Sequence, residues 1–556
     1  TITGGAGGDT FVLGTNLTSA DTIDGGAGTD ELRFTDSGLA TSDLDGVTNV
    51  ETVTLGDAAT RVTTVDNLVG NGGTLTVTAA ALTGANSLTW DGSAETDGSF
   101  NITGSGQDDV ITVGAGSDTV TAGSGDDTLN FTSGARLGGD LSIDGGDGTD
   151  IIQFTGNSVT DVDDADFANV SNIETVTFSD GDNTASFGSN AATASGADAL
   201  NINSGSGNDT IDVSALGKSA IITSGSGDDQ VTGGAGGDTF VLGTNLTSAD
   251  IIDGGAGSDE LRFTDSNNDT DDLDGVTNIE TVTLGDAATN IKTADTLLTS
   301  GQTLTVTAAA LGGSNSLNWD GSSETDGAFN ITGSDQADII TGGARGDTID
   351  GGDGEDVLDG GAGDDTFKFI SGANLSYDVI IDGGTGTDTI HFFVDSVIDV
   401  DDSNFVSVSN VEAVTFSDGD NIASFGQNAS NAVTSVTFGV TSGEGNDFFD
   451  FSQLHKGAFV DTGDGSDTII GSLYLDTFIS GLGNNSIQAL AGDDIFVMGE
   501  NLDSGDVIDG GGGSDTLYFK DNGLATSDLD GVTNVETVTL GDAATRVTTV
   551  DNLVGN

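Results

Sequence analysis

The chain contains no cysteine and no proline in 556 residues. Without cysteine, no disulfide and no thiolate metal site is possible. Basic residues are almost absent: 11 lysines and arginines stand against 91 aspartates and glutamates, for a formal charge of −80. That balance excludes nucleic acid, whose phosphates need basic patches, and it argues against anionic lipid. Only two histidines occur, His391 and His455, and there is no HExxH pair. No apolar run reaches 18 residues, so no helix is expected to span a membrane. No leader is legible at Thr1, and the first residues read as the middle of a repeat.

Glycine is what the chain has instead, at 89 positions. Charge this one-sided usually means disorder. Yet 35% of residues are hydrophobic, and Val, Ile, Leu and Phe recur at regular intervals. Such a chain can compact only if its carboxylates are neutralised. Divalent cations fit, because the acids lie in glycine-rich turns that place backbone oxygens beside them.

The sequence repeats itself. Residues 1–106 align with 230–335 without a gap, at an offset of 229. Residues 131–230 align with 369–468 at 238, and residues 1–71 with 486–556 at 485. Residues 38–71 and 523–556 are identical. The order is A (1–130), B (131–229), A (230–368), B (369–485) and a partial A (486–556), which reads as a window on a longer periodic chain. The second offset exceeds the first by nine residues, and the next step exceeds it by 18. A solenoid with nine residues per half-coil accepts insertions in nines, because any other length would turn later side chains out of register. Each block also carries one strand-like segment: Asn49–Leu55, Asn172–Phe178, Asn278–Leu284, Asn410–Phe416 and Asn534–Leu540. No amphipathic helix of normal length is legible.

The strongest signal is a nonapeptide, Gly-Gly-x-Gly-x-Asp-x-U-x, with U large and apolar. Three copies run consecutively over 342–368 and carry Asp347, Asp356 and Asp365, with Asp338 in a degenerate copy ahead. Further copies carry Asp9, Asp30, Asp150, Asp238, Asp259, Asp388 and Asp515. Variants lacking the first glycine end in Asp108, Asp118, Asp127, Asp209, Asp229, Asp447, Asp467 and Asp494. Two turns look worn: one carries Asp476, and in the other Asn485 replaces the aspartate. The glycines permit a tight turn with carbonyls converging on one point. The aspartate adds a hard anionic oxygen, and calcium takes six to eight such oxygens. U then lies on a short strand and points inward. Turn plus strand is half a coil, and coils stack as parallel strands with a cation between turns. A bare Gly/Asp linker would not place an apolar residue two positions after every aspartate.

These nonapeptides resemble the RTX calcium-binding repeats of secreted bacterial proteins. The resemblance implies an all-β fold, a right-handed parallel β-solenoid of β-roll coils interrupted by calcium-poor segments. It implies calcium between turns two nonapeptides apart. Asp338 would pair with Asp356, Asp347 with Asp365, Asp467 with Asn485, and Asp476 with Asp494. Longer coils would join Asp209 to Asp229 and Asp447 to Asp467, 20 residues apart. Asp9 and Asp30, Asp238 and Asp259, and Asp494 and Asp515 are 21 apart. The motif count suggests on the order of 15 to 20 ions. The intervening segments, such as 43–55 and 74–82, are similar to RTX-type surface-layer proteins and large RTX adhesins.

The resemblance implies export by a type I system and a place outside the cell, with the chain itself as partner in a homopolymer or lattice and cell-surface polysaccharide as a further one. No enzyme is expected, since neither histidine sits in a catalytic context. An adhesin stalk, a carbohydrate- or ice-binding solenoid with outward threonine rows, and an accessory domain of an enzyme are the other readings. Trp90 and Trp319 read as core or capping aromatics. The stretches at 43–46, 179–183 and 417–421 hold pieces of an EF-hand loop and read as surface turns or isolated calcium ligands. The basic residues, such as Arg33, Arg61, Arg136 and Lys368, are too sparse for a patch, and a few of the 11 are expected to meet carboxylates of neighbouring chains.

Overall fold

The computed structural model describes residues 1–36, 41–265, 271–520 and 529–541. Much of the terminal partial block, 521–528 and 542–556, lies outside the described residues. Two compact units are present, Thr1–Phe263 with Gly275–Thr281, and Thr264–Asp274 with Val282–Asn556. Their boundary falls inside the second A block.

Each unit is a parallel β-solenoid. Strands are two to seven residues long, and each pairs in parallel with the strand two places along the chain. Odd and even strands therefore form opposite faces, with two strands per coil. In the first unit one face runs from Thr10–Gly14 to Val170–Ser171 as an eight-stranded sheet. The shortest coils advance 18 residues, as from Asn101 to Thr119 and from Thr348 to Thr366. Others are longer, such as the 28 residues from Thr289 to Leu317. The extra length bulges from the coil without moving the register.

Register keeps apolar on apolar. In the first unit Leu32, Val53, Val77, Ile102, Val120 and Ile143 form one inward column. In the second, Ile331, Ile349, Phe367, Ile390, Val414 and Val440 do the same. All of these are fully buried. A one-residue slip would turn the whole column to solvent, so alternation alone specifies the stacking. Phenylalanines stack where strand ends coincide. Phe131, Phe154 and Phe178 have ring centroids 6.4 and 5.1 Å apart, and Phe369, Phe392 and Phe416 repeat this at 6.3 and 5.1 Å. Full burial of each ring contributes about 1.5–3 kcal/mol. Trp90 and Trp319 are core aromatics, wholly buried and edge-on to Phe100 and Phe329.

Helices among the described residues are of four to six residues and lie in the B blocks. Two are capped from the preceding coil. Asp164 accepts from the amides of Gly188, Asn190 and Ala191 at 2.8 to 3.0 Å, and Asp402 does the same for Gly426, Asn428 and Ala429. Those carboxylates are satisfied by amides that the short helices cannot pair themselves.

Ion pairs among the described residues are exposed and local: Arg33–Glu31, Arg262–Glu260, Lys292–Asp320 and Lys520–Glu500. Arg33 is thus paired within its own chain. Such pairs contribute about 0–1 kcal/mol.

Candidate metal centre

The aspartates of the nonapeptides form ladders along the solenoid edges. In each rung the Oδ1 atom accepts the backbone amide of the corresponding residue one coil earlier. Asp109 bonds to Asp127 at 2.7 Å, and Asp127 to Asp150 at 2.8 Å. Asp209 donates to Asp229 at 2.9 Å, and Asp238 to Asp259 at 2.7 Å. In the second unit Asp338 donates to Asp356, Asp347 to Asp365, and Asp365 to Asp388, at 2.7 to 2.8 Å. Asp447, Asp467 and Asn485 form another ladder, and Asp476, Asp494 and Asp515 a further one. Asp9 and Asp30 start the first. Every pair that the resemblance implied is therefore joined coil to coil.

The second carboxylate oxygen divides the turns into two kinds. In open turns it is buried and has no hydrogen-bond partner. This holds for Asp30, Asp127, Asp150, Asp259, Asp356, Asp365, Asp388, Asp494 and Asp515, and for Asp209 and Asp467, beside whose carboxylates the hydroxyls of Ser204 and Thr462 lie. Their turns pass through left-handed backbone, as at Gly354 (φ 154°) and Gly386 (φ 152°). In closed turns Oδ2 accepts the amide of its own loop at 2.6 to 2.7 Å. Asp9, Asp109, Asp238, Asp338, Asp347 and Asp476 are closed. Closed turns need no left-handed residue, which is why Ser105, Gln107, Arg345 and Tyr474 can replace glycine there. Asp118 lies between the kinds: its Oδ2 is buried and unpartnered, but Gly114 and Gly116 are not left-handed. Asp229 and Asp447 sit in left-handed glycine turns (Gly227, Gly445), and the serines Ser224 and Ser442 lie against their carboxylates.

The open turn fits calcium. A Cβ on Gly383 would lie 1.9 Å from the Asn410 carbonyl and 2.6 Å from Asp388 Oδ2. Gly145, between Asn172 O and Asp150 Oδ2, is the same at 2.0 and 2.6 Å. A carboxylate oxygen and a carbonyl of the next coil converge in the same way in closed turns, as at Gly333 between Gly351 O and Asp338 Oδ2 at 2.3 and 2.5 Å, so what sets the open turn apart is its unpartnered Oδ2. An unpartnered buried carboxylate oxygen is costly unless a proton or cation meets it. Hard oxygens of this kind suit calcium, which the open-turn aspartates would hold with the turn carbonyls.

Electrostatics agree. Burial pushes the carboxyls of Asp365 and Asp388 from 3.8 up to about 7; the amide of the preceding coil opposes this and neighbouring acids add to it. Asp127 and Asp494 also reach about 7, and Asp150, Asp259, Asp356 and Asp467 about 6, with burial again the main cause.

Several ladder members are not legible as motif residues. Asp108 lies outside the ladder: it is exposed, while its neighbour Asp109 is buried in the rung and Ile111 points inward. The internal offset of 229 signals this, because it sets Asp109 opposite Asp338. Five glutamates terminate ladders. Asp30, Asp150, Asp259, Asp388 and Asp515 donate to Glu51, Glu174, Glu280, Glu412 and Glu536 at 2.7 to 3.0 Å. Two residues before each glutamate stands an asparagine in left-handed backbone, such as Asn49 (φ 51°) and Asn410 (φ 53°). Its side chain donates to an aspartate of the preceding coil, Asn49 to Asp24 at 2.7 Å. The recurring Asn-x-Glu segment is thus the cap of a ladder as well as the start of a strand. Asn183 and Asn421, in the EF-hand-like stretches, occupy aspartate positions and donate to Asp209 and Asp447 at 2.8 Å. His391 points outward and contacts Thr415 Oγ1 at 2.8 Å.

Comparison with known proteins agrees with this geometry. Residues 17–34, 101–135, 221–244, 247–270, 332–367, 461–496 and 503–521 match the RTX calcium-binding nonapeptide repeat (4 copies). These repeats bind calcium, and they are typical of secreted proteins. No curated protein matches the chain. Among the described residues no helix is long and apolar enough to cross a membrane.

Proposed function

We propose that this chain, an RTX repeat protein, is a calcium-dependent structural protein of the bacterial cell surface that assembles with its own copies into a layer, sheath or filament. The observation that carries the reading is the ladder of buried, unpartnered Oδ2 atoms, repeated through both units. At low calcium the like charges oppose compaction. When calcium is plentiful, as outside a cell, its binding free energy becomes folding free energy. The solenoid that results is extended by duplication, as the identical 38–71 and 523–556 illustrate. Export by a type I system, attachment to surface polysaccharide and a non-enzymatic role belong to the same proposal. Exposed apolar side chains support contact between copies: Val436 is 85% exposed, and Tyr474 and Leu475 are exposed beside it in one surface groove.

A calcium titration followed by circular dichroism and light scattering tests it. Folding into β-structure followed by growth of large particles supports the assembly reading. Folding without growth favours the stalk of an adhesin. A chain already folded in chelator and indifferent to calcium overturns both.

A second reading rests on one surface. Thr54, Thr78, Thr103 and Thr121 stand in register on adjacent strands, a row suited to binding carbohydrate or ice. Inhibition of ice recrystallisation, or capture on a glycan array, that disappears in Thr78→Tyr would support it.

A further inference from the structure

The ladder through Asp338 and Asp356 runs one coil beyond the last nonapeptide that could feed it. The next coil has no glycine turn at that edge. Its chain forms the short helix Gly372–Tyr377, and Asp378 follows directly. Asp378 nevertheless occupies the rung: its Oδ1 accepts the Asp356 amide at 3.3 Å. The two carboxyl groups also contact each other directly, and Asp350 repels both. Asp356 is 1% exposed and Asp378 5%, and the Oδ2 atom of each is buried without a partner. The nearby cation Lys368 acts on Asp350 and lies over the Phe393 ring at 4.6 Å. Asn374 of the helix turns to Asp353, at 3.0 Å.

The first unit holds a related pair, in which the Gly114 amide lies beside the Asp118 carboxylate and the turn is not left-handed. Asp118 donates to Asp140 at 2.9 Å, and both have a buried, unpartnered Oδ2. Asp140 follows the helix Gly134–Leu137 and corresponds to Asp378 at the offset of 238. Where the second unit has Asn374, the first has Arg136, whose charge acts on both Asp118 and Asp140. Arg136 lies at the surface and leaves both Oδ2 atoms without a partner, so a buried acidic pair stands at this place in each unit.

The geometry points to a divalent-cation site formed by Asp356 and Asp378, outside the nonapeptide pattern. Asp378 lies beyond the residues that match the RTX repeat there, 332–367. Two touching carboxylates shielded from water need a shared proton or a cation between them. Their oxygens are hard donors, so calcium is the ion that suits them. The inference rests on the calcium reading proposed above and adds to it a site that the motif does not predict.

The test removes the charge of Asp378 in the full chain. Asp378→Asn keeps an acceptor oxygen for the Asp356 amide, so folding is retained and circular dichroism verifies it. Bound calcium is counted by plasma emission spectrometry after gel filtration in calcium. Asp378→Asn is expected to bind one ion fewer than the parent chain, and Asp108→Asn, at an exposed carboxylate outside the ladder, the parental number. A folded Asp378→Asn chain with the parental count overturns the site. A parent chain that binds no calcium at all overturns the broader reading instead.

Discussion

The amide of Asp347 donates to Asp365 Oδ1 at 2.7 Å, while the second oxygen of Asp365 is buried with no partner. One carboxylate thus holds two coils together through one atom and offers the other to a cation. Charge and hydrogen bonding act on different atoms, so substitutions can separate them.

Asp365→Asn keeps an acceptor for the Asp347 amide and removes the charge. The chain itself contains this exchange: Asn485 accepts from Asp467 at 3.1 Å and donates onward to Asp506 at 2.9 Å. Asp365→Asn is expected to stabilise the fold in chelator and to weaken calcium binding. Urea unfolding in chelator and in calcium should therefore shift in opposite directions. Equal losses in both would refute the division of labour.

Gly383→Ala places a methyl group 1.9 Å from the Asn410 carbonyl and 2.6 Å from Asp388 Oδ2. The coils must separate or the carboxylate must turn away. The calcium midpoint of folding is expected to rise several-fold, with a destabilisation of about 1–3 kcal/mol. Gly312→Ala, whose new methyl group would approach nothing closer than 3.7 Å, is the control and should change little.

Acidity should act oppositely with and without calcium. Buried carboxyls such as Asp365 and Asp494 hold their protons up to about 7 in the fold, against 3.8 for a free carboxyl. The folded chain therefore binds protons more tightly than the unfolded one. Their stabilisation is complete below about pH 4 and is lost as pH rises through 6 to 7. In chelator, circular dichroism should show more β-structure at pH 5 than at pH 8. In limiting calcium the order should reverse, because protons compete for the same oxygens.

Glu412→Ala removes the acceptor at the end of a ladder, 3.0 Å from the Asp388 amide. A buried amide left unpaired costs about 1–3 kcal/mol. Thermal unfolding in saturating calcium should fall accordingly, and Glu412→Gln, which keeps an acceptor oxygen, should recover most of the loss. If alanine and glutamine behave alike, the glutamate is not a cap.

Asp109→Ala should impair calcium-driven folding far more than Asp108→Ala. The first removes the buried carboxylate that accepts from the Leu88 and Ser105 amides. The second removes only an exposed bond to the Asp126 amide. Equal effects would place the ladder wrongly.

The solenoid, its nine-residue step and the calcium chemistry were legible in the chain, because each is a local matter. Apolar residues two positions after the aspartates must point inward once the turn forms, as Ile349 and Phe367 do. Glycine marks the turns for the same reason. What only the tertiary structure decided depends on the coil next door. Asp108 and Asp109 are equivalent in composition, and the stacking of Ile111 between Trp90 and Leu129 selects the second. Glu51 and Glu412 read as strand residues until the preceding coil presents an amide to them. Asp140 and Asp378 follow helices with no motif around them, yet stacking brings each to a rung. Whether a turn is open or closed likewise rests on the backbone of two coils together. Sequence specifies the half-coil, and contact between coils specifies the site, because every rung is built from residues 18 or more positions apart.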